Sequence, residues 1–412
     1  MKSPHQQEVM YFCSPGHEVT SEDLASILFM DEAAGPIKGD TGICGLRLDF
    51  NAGLRLAVPA GNWHICICDG ESELVFFDQD VSDKVLISME KYYIPWHIEV
   101  WCEGDLVFVH DFDVSGQQVY FDLKDVPLGT GIMLLEAMGE FSREYGCQVN
   151  CRVSNGFGEL VSTYYPTFQR QSAVTEDTYA VFYLGAYQIP PFVIPESARE
   201  LSWEYVGRNL LHLWHKPAYV HFFPTSKRLV KEPYVVIAVQ ASDVYKCWLY
   251  PDGWEILTKY LKEKGYRVLC IDREAVVTEG RYRVEKPEAA EDYTGNISLL
   301  ERINLLAYAD FFIGMSSGLA WLANSANCPV VMISGASLPI TEFDTPYRVT
   351  NRQVCHGCYN DLRVEWFRQF CPYHHGTDRE MECSKKISPR QVILAVERLL
   401  NECRKGKHDC TE

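Results

Sequence analysis

Four cysteines near the C-terminus have the spacing of metal ligands. Cys355 and Cys358 form a Cys-x2-Cys pair, Cys371 comes after twelve residues, and Cys383 after eleven more. Such a pair puts two thiolates on one tight turn, and two more from nearby loops complete a tetrahedral site for zinc or iron. His356, His374 or His375 could replace one thiolate. Ligand type alone does not separate the two metals. A disulfide within the set is the competing reading, which a cytosolic compartment disfavours. With all four thiolates bound, no position stays open for substrate, so the site reads as structural.

Two loops carry residues suited to phosphate. Gln240-Ala-Ser-Asp-Val-Tyr-Lys-Cys-Trp248 directly succeeds an apolar run. Gln240, Ala241 and Ser242 offer backbone N–H groups there, and Lys246 offers a positive charge for a diphosphate. Alone, the segment reads equally as a solvated loop with a surface lysine. The second loop, Gly314-Met-Ser-Ser-Gly-Leu-Ala-Trp321, supplies the hydroxyls of Ser316 and Ser317. Gly318 allows close approach at a helix N-terminus, with Leu319 next in that first turn. Two such loops on successive strand–helix units are more specific than either alone. Arg302, one helix earlier, is either a further contact or part of a solvated helix face. Asp125 reads either as a helix N-cap carboxylate or as a general base.

The elements that must position these groups are set by periodicity. Residues 1–117 are β-rich, with alternating runs such as Trp63-His-Ile-Cys-Ile-Cys68 and Leu106-Val-Phe-Val-His110. These predict a small antiparallel sheet, sandwich or partial barrel. Residues 118–228 predict a first α/β domain, in which strand Gln118–Leu123, helix Leu128–Tyr145 and strand Cys147–Val153 form a βαβ unit. Residues 229–350 predict a second. Tyr234–Val239 is its buried parallel strand, Pro251 suits the first turn of its first helix, and Ser298-Leu-Leu-Glu301 is a capping box. The cysteine finger spans 351–385, and residues 386–412 form a final amphipathic helix and tail.

Composition bounds the function. The chain has 412 residues, 47% hydrophobic and 13% aromatic, enough for two or three packed domains. A net charge of −18 argues against nucleic acid as a partner. No apolar stretch is long enough to span a bilayer, and the N-terminus lacks a secretory signal, so a cytoplasmic location is expected. Cys66, Cys68, Cys102, Cys247, Cys270 and Cys328 lie in apolar runs and are expected to be buried free thiols.

Two tandem α/β domains with a late returning helix outline a GT-B glycosyltransferase. The loop Gln240–Trp248, the helix from Ser298 and the segment Ala309–Trp321 together resemble the ADP-heptose-binding half of the heptosyltransferases. Asp122-Leu-Lys-Asp-Val-Pro-Leu-Gly-Thr-Gly131 resembles their acceptor-side junction. Adding the cysteine finger and β-rich N-terminal region, the chain resembles the bacterial autotransporter heptosyltransferases over nearly its whole length. That resemblance makes 118–228 the acceptor-side domain and 229–350 the donor-binding domain. It implies inverting transfer from ADP-glycero-manno-heptose to serine hydroxyls of an autotransporter passenger domain. Asp125 would be the base and Lys246 the diphosphate contact, with Gln240, Ala241, Ser242, Arg302, Ser316, Ser317, Gly318 and Leu319 around the donor. It further implies a ferric iron rather than zinc, and a dodecameric homo-oligomer. The chain departs from the wider pattern at Lys124, Pro127, Ser316-Ser317 and Trp321. Alternatives are a GT-B enzyme with another sugar or a lipopolysaccharide acceptor, and a non-catalytic nucleotide-sugar-binding adaptor.

Overall fold

The computed structural model describes residues 7–124, 126–184, 199–214, 220–364 and 371–409. The chain divides into two compact units, 1–126 with 134–197 and 204–217, and 127–133 with 198–203 and 218–412.

The strands of the first unit are β1 (Glu8–Phe12), β2 (Arg47–Asn51), β3 (Arg55–Val58), β4 (Trp63–Asp69), β5 (Val75–Val81) and β6 (Lys84–Ser88). They continue as β7 (Trp96–Cys102), β8 (Asp105–Asp111), β9 (Gln118–Leu123), β10 (Gln148–Val153), β11 (Gln169–Arg170) and β12 (Thr178–Tyr183). The helices are α1 (Ser21–Ala34), α2 (Leu128–Tyr145), whose residues up to Met133 belong to the second unit, α3 (Gly158–Tyr164) and α4 (Trp203–Leu210), whose Trp203 also belongs to the second unit.

Four strands form the expected antiparallel sheet, in the order β5-β4-β7-β8. Along β4, Trp63, Ile65 and Ile67 are buried while the alternating His64, Cys66 and Cys68 are half-buried, as a sheet covered on one face requires. Cys66, Cys68 and Cys102 are therefore only partly buried, whereas Cys247, Cys270 and Cys328 are buried as expected.

The other N-terminal strands do not form a domain separate from the chain beyond residue 117. They join an eight-stranded sheet, β1-β6-β3-β2-β12-β9-β10-β11. The join is β2 to β12, where Phe50 pairs with Ala180 and Asn51 with Val181. The βαβ unit is present, with β9 parallel to β10 across α2. α1 was not foreseen; a capping box closes its start, with the Asp23 N–H donating to Thr20 Oγ1 at 3.2 Å and the Thr20 N–H to Asp23 Oδ2 at 2.8 Å.

The second unit contains β13 (Tyr234–Ile237), β14 (Arg267–Cys270), β15 (Val276–Glu279), β16 (Tyr282–Glu285), β17 (Glu291–Asp292), β18 (Phe312–Met315), β19 (Val330–Ile333) and β20 (Arg348–Val349). Its helices are α5 (Gly253–Glu263), α6 (Leu299–Ala307), α7 (Gly318–Ser325), α8 (Glu382–Lys385) and α9 (Pro389–Asp409). Six strands form one sheet, β17-β14-β13-β18-β19-β20, and every pairing is parallel. All four β13 residues are buried, as a strand covered on both faces demands. Leu257 and Leu261 of α5 and Val392, Val396 and Leu399 of α9 belong to the core on this sheet.

The Ser298 capping box is present. Pro251 is not inside its helix: α5 begins at Gly253, with Asp252 as a left-handed N-cap at φ 54°. Gly253 is needed there because a Cβ would meet Trp248 Cζ2 at 2.9 Å. Among the described residues no helix is long and apolar enough to cross a membrane.

Candidate active site

Parallel pairing puts the loops after β13 and β18 at the same edge of one sheet. Val236 pairs with Phe312 and Ile237 with Ile313, so the chain leaves both strands side by side. In open α/β sheets ligands bind outside this carboxyl edge.

The loop after β13 is built on a buried carboxylate. Asp272, 1% exposed, lies just beyond β14. Its Oδ2 accepts the Val239 N–H at 2.7 Å, and its Oδ1 accepts the Gln240 N–H at 3.2 Å. The Gln240 side chain donates to the Glu274 carbonyl at 2.7 Å. Both of these Gln240 groups therefore serve to shape the loop. Ala241 is half-buried against the core. The exposed Ser242 hydroxyl donates to Asp243 at 2.7 Å. Lys246 lies on a single 3-10 turn, Val244–Lys246, and its Nζ donates to Ser242 Oγ at 3.2 Å. The ammonium lies 5.8 Å from the Tyr245 ring centroid and 5.9 Å from that of Tyr359. Burial pushes its pKa below the ordinary lysine value, while Asp243 and Cys247 oppose that shift. An anion beside it would relieve the desolvation.

The second loop ends in the N-cap of α7. Ser317 is extended, at φ −146° and ψ 169°, and its side chain makes no capping bond. Its buried Oγ has no hydrogen-bond partner among the described residues. The amides of Gly318 and Leu319 belong to the first helical turn, where N–H groups have no intrahelical acceptor. Together with the half-exposed Ser316, these groups could hold a phosphate. Gly318 is obligatory for space: a Cβ would meet Leu128 Cβ at 2.6 Å and the Gly129 nitrogen at 3.0 Å.

Arg302 has a different occupation from the one its position on α6 suggested. It is only 6% exposed. Nε donates to the Ile271 carbonyl at 3.1 Å, one terminal nitrogen to Ile297, and the other to Gly295 at 2.9 Å and Asp272 at 3.3 Å. A fork committed to four carbonyls positions the strand ends rather than contacting a donor directly. Asp125 lies outside the described residues. Before it, the Asp122 carboxylate accepts the Lys124 N–H at 2.9 Å and pairs with Arg152, which fixes where the loop leaves β9.

Asp272, Arg348 and Arg352 were not singled out from sequence. Arg348 and Arg352 line a cavity of about 190 Å³ with Ser337, Thr350 and His356, beside the loop after β19. Arg348 bonds the Ser337 carbonyl at 2.7 Å and pairs with buried Glu342; burial lowers its pKa to about 10. Asp272 was legible as an acid closing an apolar strand.

Burial, offset by the Val239 amide and other partners, raises the Asp272 pKa from 3.8 to about 6. A raised folded-state value stabilises below the unfolded pKa and is lost as pH rises through about 6. Compared with Asp272→Asn, the native chain should lose about 2 kcal/mol of relative stability between pH 4 and 7. Urea denaturation across that range measures it; a constant difference would refute it.

The four finger cysteines are all free thiols, Cys371 and Cys383 buried and Cys355 and Cys358 partly so. Among the described residues no three His, Cys, Asp or Glu side chains close on one point tightly enough to hold an ion. The thiols are nevertheless neighbours. Burial first, then Cys355 and Cys371, push Cys358 up to about 12, and burial with the other three cysteines does the same to Cys383. The histidines have other partners: His375 Nδ1 lies 2.9 Å from Glu380, and His356 Nδ1 2.9 Å from the Val354 carbonyl.

The second unit's phosphate-suited edge falls within residues 205–365, which match the family model of glycosyltransferase family 9 (heptosyltransferase), so the chain is a glycosyltransferase. Residues 42–104 match the N-terminal domain of glycosyltransferase TibC. Autotransporter heptosyltransferase Aah of Escherichia coli is 36% identical over 88% of this chain and 94% of its own length. Autotransporter heptosyltransferase TibC of E. coli H10407 is 34% identical over 85% and 89%. The chain belongs to the autotransporter heptosyltransferase family. The crystal structure of TibC, described as an iron-containing dodecameric glycosyltransferase, matches with TM-score 0.84 and 32% identity over 89% of this chain and 98% of that one. TibC has also been solved with ADP-D-β-D-heptose. BimC of Burkholderia thailandensis, named an inactive autotransporter heptosyltransferase, is 30% identical over 85% of each chain.

Proposed function

We propose that this chain is a cytoplasmic, inverting protein O-heptosyltransferase with a GT-B core. It transfers heptose from ADP-glycero-manno-heptose to serine hydroxyls of an autotransporter passenger domain. The observation that carries the reading is that the loops following two adjacent parallel strands carry, one, the Lys246 ammonium and, the other, the buried Ser317 hydroxyl, unpartnered among the described residues. Nucleoside diphosphate chemistry asks for both: a fixed cation and hydroxyl or amide donors on the departing phosphate. TibC's complex with ADP-heptose supports the sugar and base.

In the proposed step the Asp125 carboxylate takes the proton of the acceptor serine as its oxygen attacks the anomeric carbon. The bond from that carbon to the phosphate oxygen breaks, and ADP leaves with the electron pair. Lys246, the Ser316 and Ser317 hydroxyls and the Gly318 and Leu319 amides take up the growing phosphate charge. Asp272 and Arg302 hold the loops in place. Calorimetry with ADP, UDP and GDP tests the donor assignment: ADP is expected to bind and the others not, and tighter binding of UDP or GDP would overturn it.

A second reading, a nucleotide-sugar-binding adaptor, is favoured by one observation: a 30% identical relative is named inactive. It predicts donor binding without transfer.

Cys355, Cys358, Cys371 and Cys383 are the residues that would hold iron, as TibC's iron content suggests, with zinc the alternative. The metal would cross-link the finger and help build a dodecamer like TibC's. Metal analysis of the native chain is expected to give about one iron per chain, as a tetrathiolate site holds one ion. Cys358→Ser should lose that iron, melt earlier and elute as smaller species. Full iron retention in the variant would contradict the ligand set.

A further inference from the structure

The finger reaches Lys246, the lysine assigned to the diphosphate. Tyr359 directly succeeds Cys358, and its ring centroid is 5.9 Å from Lys246 Nζ. The Tyr359 backbone is pinned twice: its N–H donates to the Ala336 carbonyl at 2.9 Å, and its carbonyl accepts Arg199 Nε at 2.6 Å. Ser384 directly succeeds Cys383. Its buried hydroxyl accepts the Leu249 N–H at 2.8 Å and donates to the Cys247 carbonyl. The lysine loop is thus gripped at Lys246 and just beyond it by the residues next to two of the four cysteines. Trp248 adds a third tie, its Nε1 donating to the Ile387 carbonyl at 2.8 Å.

We infer that Tyr359 and Ser384 are positioning residues through which the cysteine finger sets the Lys246 ammonium for a nucleoside diphosphate. The finger would then serve donor binding as well as folding. Tyr359 and Tyr245 bracket the ammonium with two ring faces and leave its remaining protons for an anion. Ser384 fixes the backbone that carries it. This inference rests on the assignment of Lys246 to the diphosphate.

The test measures ADP affinity by calorimetry, donor KM and kcat, and metal content on the full-length protein. Tyr359→Leu is expected to weaken ADP about 2- to 30-fold, the range a cation–π contact carries. KM should rise by a similar factor with metal content unchanged. Tyr359→Phe, which keeps the ring, should restore native affinity, and Ser384→Ala should act in the same direction as Tyr359→Leu. In a Lys246→Ala background Tyr359→Leu should add nothing. Native ADP affinity in both Tyr359→Leu and Ser384→Ala, or additivity with Lys246→Ala, overturns the inference. If Lys246→Ala itself leaves ADP binding and transfer intact, the assignment of Lys246 falls and takes this inference with it. If Lys246→Ala weakens ADP while the finger variants do not, the inference alone fails.

Discussion

Lys246→Ala is expected to lower heptosyl transfer by about 10²–10³-fold, the usual cost of removing one preorganised charge donor from a transition state. The size of the effect reflects where the ammonium sits. It is crowded by Tyr245 and Tyr359, held by Ser242, and pushed below its ordinary pKa by burial. Water that enters the truncated site reorients freely and cannot replace a fixed cation. Because charge on the diphosphate grows as the sugar bond breaks, kcat should fall more than KM rises. Lys246→Arg should recover only part of the loss, since a wider planar guanidinium carries its charge and donors in a different place from a compact ammonium. ADP release at saturating donor measures this. Native turnover in Lys246→Ala would remove the residue from the mechanism.

Asp125→Asn is expected to lower transfer by about 10²–10⁴-fold, the span ascribed to a general base. The substitution keeps shape and removes basicity. ADP binding should be unchanged, because the donor groups lie on other loops. The rate of the native chain should fall at low pH as the base is protonated, and the variant should lack that limb. Undiminished transfer in Asp125→Asn would assign the proton to another group. The Asp122–Arg152 pair and the Asp122 contact to the Lys124 amide fix the strand end that precedes Asp125 in the chain.

What the sequence made legible was mostly local. The Ser298 capping box and the apolar parallel strands rest on contacts within a few residues or on full burial, and both are found where expected. The pairing of β2 with β12 was not legible, because it joins Phe50 to Ala180 across more than a hundred positions without a turn signal. α1 was hidden by a run of apolar residues set among strands. Of the site, both loops could be placed, since strand, small residues and helix start succeed one another in the chain. The roles of Gln240 and Arg302 could not. Each looked available in sequence, but Gln240 spends its hydrogen bonds on the Asp272 carboxylate and the Glu274 carbonyl, and Arg302 spends part of its fork on the Ile271 and Asp272 carbonyls, partners that only the sheet brings close. Asp272 was overlooked for the same reason, its partners lying more than thirty positions away. The finger cysteines were recognisable by spacing, but their tie to Lys246 through Tyr359 and Ser384 depends on how the finger lies against the loops after β13 and β19.

Intact-mass measurement of a recombinant autotransporter passenger fragment, incubated with this protein and ADP-heptose, addresses the central claim most directly. The expected result is a ladder of heptosyl increments that map to serines and vanish with Asp125→Asn. An unchanged passenger mass while ADP-heptose is bound, or increments that appear only with a different nucleotide sugar, would contradict it.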